Sequence, residues 1–270
     1  MNAAIWSLHH QPFGGQILGA AVTIEGVPRD LLFVSAQSLG PRAPVRGGVP
    51  VMFPQFNELG PLPKHGLART CTWRAVECQS DSVSGVAVSY EVVIGPDSHP
   101  LWPHRARLRL TARARGGALA IELDVDNIGS SAFDWTGGLH PYFCSADLRL
   151  SALQGLRGCA MADRYDPAAS RESASAIAWN GAPFERLYDS APPLEFDSGD
   201  HRLLLSVTGF DQWMVWNPGE ELGQSIPDLA IGDWLRFVCI EPVRVTRPCR
   251  LEPGERFSGA LSVEVAPRRS

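Results

Sequence analysis

Apolar and polar residues recur along this chain with a period of two wherever they recur at all, the signature of half-buried strands. In GVAVSYEVVIG (85–95), Val86, Val88, Tyr90, Val92 and Ile94 share one face. In HRARLRLTARARGGALAIELDVDN (104–127), Ala106, Leu108, Leu110, Ala112 and Ala114 point one way and the arginines the other. Gly116-Gly117 is a two-residue hairpin signal. Folding there sets Arg113 opposite Ala120, Thr111 opposite Glu122, Arg109 opposite Asp124 and Arg107 opposite Asp126. On the other face Leu110 meets Leu123, and Leu108 meets Val125. FSGALSVEV (257–265) alternates in the same way, with Phe257, Leu261, Val263 and Val265 together. DWLRFVCIEPVRV (233–245) differs, being apolar on both faces like a central strand covered on both sides. No long helical period, internal repeat or low-complexity segment stands out. The expected fold is all-β, a single large antiparallel β-sandwich over residues 1–270.

Length agrees, since β-sandwiches often reach roughly 200–250 residues as one unit. The 26 glycines and 22 prolines are spread along the chain and read as turns, not as a linker. A formal net charge of −5 argues against nucleic acid as the main partner. The arginine stripe could suggest otherwise, but its partner strand carries acids at matching positions, so it reads as a charge-paired sheet face. Six cysteines occur without a C-x-x-C or a close Cys/His cluster, which suits reduced, buried thiols. MNAAIWSLHHQPFGG lacks a basic n-region and a continuous apolar h-region, and no apolar run approaches the roughly 18 residues of a membrane span. A soluble, cytoplasmic monomer without nucleic-acid or membrane partners is expected.

Several residues are out of place in such a pattern. Glu241 shares a face with Leu235, Phe237, Cys239 and Val243 in what reads as a buried strand. It is either a strand-end glutamate salt-bridged to Arg236 or Arg244, or a general base whose basicity a sheltered cleft raises. His140, in FDWTGGLHPYF, is either a hydrogen-bonded core residue or a catalyst. In PLPKHGLARTCTW two prolines restrict the approach to His65, Gly66 leaves room beside it, and Arg69 supplies a permanent cation. Arg46, in PVRGGVPVMFPQF, is an exposed loop residue or, with Arg69, one half of a phosphate clamp. Gln55 adds an amide able to orient hydroxyls. Trp73, Trp102, Trp213 and Trp216 are core residues or sugar-stacking platforms. His65, His140 and Glu241 make up a non-haem iron ligand set in type, but the usual closely spaced pair is missing, and acid–base work without metal is the better reading.

RGGVPVMFPQF, LPKHGLAR, LHPYF, MVWNP and a late CIEPV occur in the order seen in the aldose 1-epimerase superfamily, and the chain most resembles its hexose-6-phosphate mutarotase branch. The resemblance runs from about Arg46 to the C-terminus. It implies a galactose mutarotase-like β-sandwich with a cleft across one sheet, no cofactor and no metal, and interconversion of the α and β anomers of a hexose 6-phosphate. By the matching motifs Glu241 is the base at the anomeric hydroxyl and His140 the acid at the ring oxygen. His65 supports that geometry, and Arg46 and Arg69 grip the phosphate.

Two positions depart from the family pattern. Where the family usually has an acid four residues before the Trp of VWNP, this chain has Gln212, with Asp211 one earlier, so either Asp211 reaches the sugar through a bulge or Gln212 replaces it. Pro141 lies beside His140. NPGEELGQSIPDLAIGD (217–233) fits a loop near the cleft. The alternatives are an epimerase of an unphosphorylated aldose and a carbohydrate-binding module without catalysis.

Overall fold

The longest run of strict alternation becomes a hairpin in the expected register. In the computed structural model, which describes residues 4–24, 26–37, 43–81 and 85–266, strands Ala106–Arg115 and Ala118–Asn127 flank the Gly116-Gly117 turn. Arg113 lies opposite Ala120, Arg109 opposite Asp124 and Leu110 opposite Leu123. Leu108, Leu110, Leu123 and Val125 are buried, and Arg107, Arg109, Arg113 and Arg115 are exposed. The ion pairs follow the reach of the side chains and not simply the facing positions. Arg109 meets Glu91 on the next strand at 3.0 Å, and Arg113 meets Glu122 at 2.9 Å. Asp126 is taken from its other side by Arg256. A long guanidinium reaches diagonal and neighbouring strands, so the stripe is paired, though with different acids than the hairpin alone implies.

That hairpin lies within a nine-stranded antiparallel sheet. From one edge to the other its strands are Ala176–Ile177, Ala152–Gln154, Leu194–Asp197, Arg202–Thr208, Arg256–Ala266, Ala118–Asn127, Ala106–Arg115, Gly85–Ile94 and Arg74–Asp81. A second, seven-stranded antiparallel sheet runs Met161–Asp163, Phe184–Tyr188, Gln212–Asn217, Phe237–Leu251, Phe133–Leu139, Val51–Met52, with Tyr142–Cys144 also paired to Phe237–Leu251. Ile5–His10, Ile17–Ile24 and Val27–Asp30 form a small third sheet. Residues 1–3 of the N-terminal stretch lie outside the described residues. All six cysteines are free, and among the described residues no helix is long and apolar enough to cross a membrane.

The fold is thus an antiparallel β-sandwich, and the Phe237–Leu251 strand shows how its layers are set. Successive side chains point to opposite faces. Val238 and Ile240 enter the main core beside Trp135, Trp213 and Val215, where Leu110, Ile121, Leu261 and Val263 of the larger sheet also pack. Phe237 and Cys239 instead pack with Phe33, Tyr142 and Leu229, and Val243 packs with Met52, Phe56 and Met214. Glu241 falls between these two outer clusters, on the same face. The segment 217–233 is not wholly a loop, because Gly219–Ser225 form a helix of two turns, too short to show a period.

Candidate active site

Glu241 is 2% exposed and lies opposite Met214 on the neighbouring strand. The strand-end salt bridge does not form. Arg236 turns to the Ser145 carbonyl at 3.4 Å, and Arg244 to Asp211 at 3.6 Å. Burial, with a smaller contribution from Glu185, pushes the Glu241 carboxyl well above the usual carboxylate range.

His140 follows the strand Phe133–Leu139, and the Gly-Gly before it lets three strands close up. A side chain on Gly138 would meet the Pro242 carbonyl oxygen at 2.1 Å, and one on Gly137 the Met52 carbonyl oxygen at 2.1 Å. The backbone N–H of His140 donates to Pro50 at 2.9 Å, and its ring stacks on Tyr142 at 4.8 Å and 8°. Nδ1 lies 3.4 Å from Glu241 Oε1 but is not aligned for a hydrogen bond, and it has no other partner. Burial first, then His65, Arg46 and Arg69, holds the imidazole well below its usual pKa. Carboxyl and imidazole are therefore displaced in opposite directions, each toward its uncharged form.

His65 is held in the left-handed region at φ 63°, a conformation costing on the order of 1–2 kcal/mol for a non-glycine residue. Two hydrogen bonds to Asn57 fix it there. The His65 N–H donates to the Asn57 carbonyl at 2.9 Å, and the Asn57 N–H donates to His65 Nδ1 at 3.2 Å. Nδ1 is thus an acceptor and Nε2 carries the hydrogen. Burial, then Arg69, Lys64 and Arg46, lowers the pKa to about 3, so the ring is a neutral donor. Its edge meets the His140 ring at 5.4 Å. Gly66 gives room to the chain itself: a Cβ there would stand 2.2 Å from the Phe53 carbonyl oxygen, which accepts from the Leu67 N–H.

These three residues line one cavity of about 200 Å³ together with Arg46, Lys64, Arg69, Arg164, Glu185, Asn57, Phe56, Tyr142, Met214 and Trp216. Arg46 donates to Asp228 at 2.6 Å and to the Tyr142 hydroxyl at 3.3 Å. Burial alone would lower the Arg46 pKa, but Tyr142 and Asp228 outweigh it and the net shift is upward. Arg164 pairs with Glu185 at 3.2 Å. Among the described residues neither Lys64 nor Arg69 has a carboxylate partner. Arg69 donates one bond to the Lys64 carbonyl at 2.7 Å, its Nε is buried without a partner, and burial lowers its pKa. Two cations are left uncompensated beside a carboxyl–imidazole pair.

A family model described as aldose 1-epimerase matches residues 7–264. The chain belongs to the aldose 1-epimerase family. A relative from Cenchrus ciliaris, provisionally named a glucose-6-phosphate 1-epimerase, is 27% identical over 252 residues, covering 88% of this chain and 76% of its own. One from Escherichia coli K12 with the same provisional name is 27% identical over 235 residues, 83% of this chain and 76% of its own. The solved structure of a provisional mutarotase from Salmonella typhimurium superposes with a TM-score of 0.84 at 23% identity, covering 99% of this chain and 88% of that one. That likeness shows that the sandwich is galactose mutarotase-like.

Within this aldose 1-epimerase fold the remaining candidates separate from the cavity. Gln55 is a loop clasp: its amide donates to the carbonyls of Asn57 (2.9 Å) and Leu62 (3.1 Å) and accepts from the Leu62 N–H (2.9 Å). It orders the segment that carries Asn57 and His65 and does not line the cavity. Gln212 is fully buried and satisfied, donating to Asp189 and Thr246 and accepting from the N–H groups of Val245 and Thr246. Asp211 pairs with Arg247 at 2.9 Å and with Arg244. Neither lines the cavity, so both readings of the departure are corrected. The acid on this side is Glu185, one strand over and opposite Trp216. Of the four tryptophans only Trp216 lines the cavity; Trp73, Trp102 and Trp213 are core. Asp228, Tyr142, Asn57, Lys64, Arg164 and Glu185 were not anticipated. Lys64 and Tyr142 stand inside the quoted motifs LPKHGLAR and LHPYF, and Asp228 in the segment 217–233, whereas nothing local marks Asn57, Arg164 or Glu185.

Proposed function

We propose that this protein is a hexose-6-phosphate mutarotase, interconverting α and β anomers through ring opening. The observation that carries the reading is the charge balance of the cavity. Arg46 is matched by Asp228 and Arg164 by Glu185, while among the described residues Lys64 and Arg69 have no ion-paired acid. That surplus suits a phosphate monoester of about −1.5 to −2 charge near neutrality. Arg46 also lowers the Arg69 pKa, a repulsion that a bound anion relieves.

Ring opening starts from the form with Glu241 ionised and His140 protonated. Glu241 takes the proton of the anomeric hydroxyl, the bond from C1 to the ring oxygen breaks, and His140 delivers its proton to that oxygen. The pair is left as carboxylic acid and neutral imidazole, the form that burial favours in the free site and that ring closure needs. After rotation about C1–C2 the transfers reverse, so the proton count is unchanged over a cycle. Each transfer contributes roughly 10²–10⁴-fold. His65 Nε2–H donates to the substrate oxygens throughout. The reading uses no cofactor and no metal.

Anomer exchange of glucose 6-phosphate and of free glucose, measured by NMR, tests this. Acceleration specific to the phosphorylated sugar is expected, and Arg46→Ala should raise its KM roughly ten- to a hundredfold with a smaller change in kcat. Equal acceleration of free aldoses, with Arg46→Ala silent, points to an epimerase of unphosphorylated sugars. Sugar binding without acceleration points to a binding module.

A further inference from the structure

The same strand that presents Glu241 presents Cys239 two residues earlier, on the same face and fully buried. Ligand atoms of His140, Cys239 and Glu241 all lie within 4.8 Å of one another. The His140 Nδ1 to Glu241 Oε1 separation is 3.4 Å, and Nδ1 is buried without a hydrogen-bond partner. Nitrogen and oxygen ligands about 2.1 Å from a tetrahedral zinc ion stand about 3.4 Å apart, and a thiolate at about 2.3 Å needs only slightly more. The nitrogen–oxygen spacing is already that of a tetrahedral site, the Cys239 sulfur has at most about an ångström to close, and His140 and Glu241 both line the cavity. An imidazole, a thiolate and a carboxylate form a donor set that favours zinc-like ions over magnesium or calcium.

We propose that His140, Cys239 and Glu241 form an inhibitory site for a zinc-class divalent cation, which blocks the reaction by occupying the acid and the base together. Coordination forms one bond each to nitrogen, sulfur and oxygen, and two protons leave to solvent, one from the Cys239 thiol and one from the Glu241 carboxyl. The ion is not a cofactor, because it removes the lone pairs that proton transfer uses. The surrounding cations weaken the site without forbidding it. Arg46 is neutralised by Asp228 at 2.6 Å, Lys64 is exposed, and the thiolate and carboxylate bring two negative charges that oppose the remaining cation, Arg69. The inference goes beyond the mutarotase reading and is measurable without any sugar.

The test uses the chelator-stripped full-length protein titrated with Co²⁺ and, separately, with Zn²⁺. Cobalt should give a thiolate-to-metal charge-transfer band at one ion per chain, displaced by zinc, and zinc should suppress anomer exchange. Cys239→Ala, which touches neither sugar nor proton, should keep the basal exchange rate, lose the band, and need at least tenfold more zinc for inhibition. Absence of the band in the wild-type protein overturns the site. So does equal zinc inhibition of wild type and Cys239→Ala. If Cys239→Ala fails to fold, Cys239→Ser with the cobalt spectrum of the wild type decides the question.

Discussion

Two polar faces of this molecule follow the same period-two rule with opposite results. On the outer face of the Ala106–Asn127 hairpin, charged residues alternate with core residues, stand in water, and pair with acids on adjoining strands. On the outer face of Phe237–Leu251, the alternate position holds Glu241, buried at 2% exposure, and among the described residues its one ion-pair contact is the His140 ring, which burial holds neutral. The first face tolerates charge because solvent screens it. The second raises the free energy of charge, which opposes ionisation of both groups and brings their proton affinities toward one another. A polar residue on a strand is thus a functional signal only when the sheet face it occupies is covered.

The sharpest way to break the comparison is to change adjacent residues on opposite faces. Glu241→Gln should lower the exchange rate about 10²–10⁴-fold while leaving stability unchanged or raised, since a buried carboxyl is removed. Ile240→Ala should instead cost about 2–5 kcal/mol in denaturant unfolding, with the active-site residues still in place. If Glu241→Gln unfolds the protein and Ile240→Ala abolishes turnover in the folded state, the division of faces is wrong.

Next in size is the pH response, measured in chelated buffer. Below the lower pKa of the pair both groups are protonated and no base remains; above the upper one neither is protonated and no acid remains. The profile is therefore bell-shaped, falling about tenfold per unit at each side. A simple assignment gives the acid limb to Glu241 and the alkaline limb to His140. Because burial moves Glu241 up and His140 down, the two limbs belong to the pair and not to either residue, and imidazole NMR should find His140 neutral at pH 7 in the free protein. A rate constant from about pH 5 to 9 would contradict the pairing.

The smallest effect belongs to the arginine stripe. Arg109→Ala removes an exposed ion pair to Glu91 and should change stability by less than about 1 kcal/mol, with exchange kinetics unaltered. A larger change, or a loss of activity, would mean that the two faces are not independent.

Strand periodicity carried the hairpin and its register because side-chain direction alternates with every residue, whatever lies around it. It also exposed Glu241 and made His65 and His140 worth following, since each is a polar group in an apolar or rigid setting. The same logic failed for Gln55 and Gln212, whose amides are consumed by neighbouring backbone in a loop and a strand corner. It missed Asp228, which reaches Arg46 across 182 positions of sequence, and Glu185, which enters the cavity from the next strand.

What the sequence by itself determined is the all-β architecture, the alternation of its strands and the chemical types available for catalysis, because these depend on residues within one or two positions of each other. Only the tertiary structure decided which of those types meet. The approach of His140 to Glu241, the neutrality of His65 and the surplus of positive charge arise from burial and from partners on other strands. Those quantities depend on distance and dielectric, and residues distant in sequence acquire them only when the sheets pack.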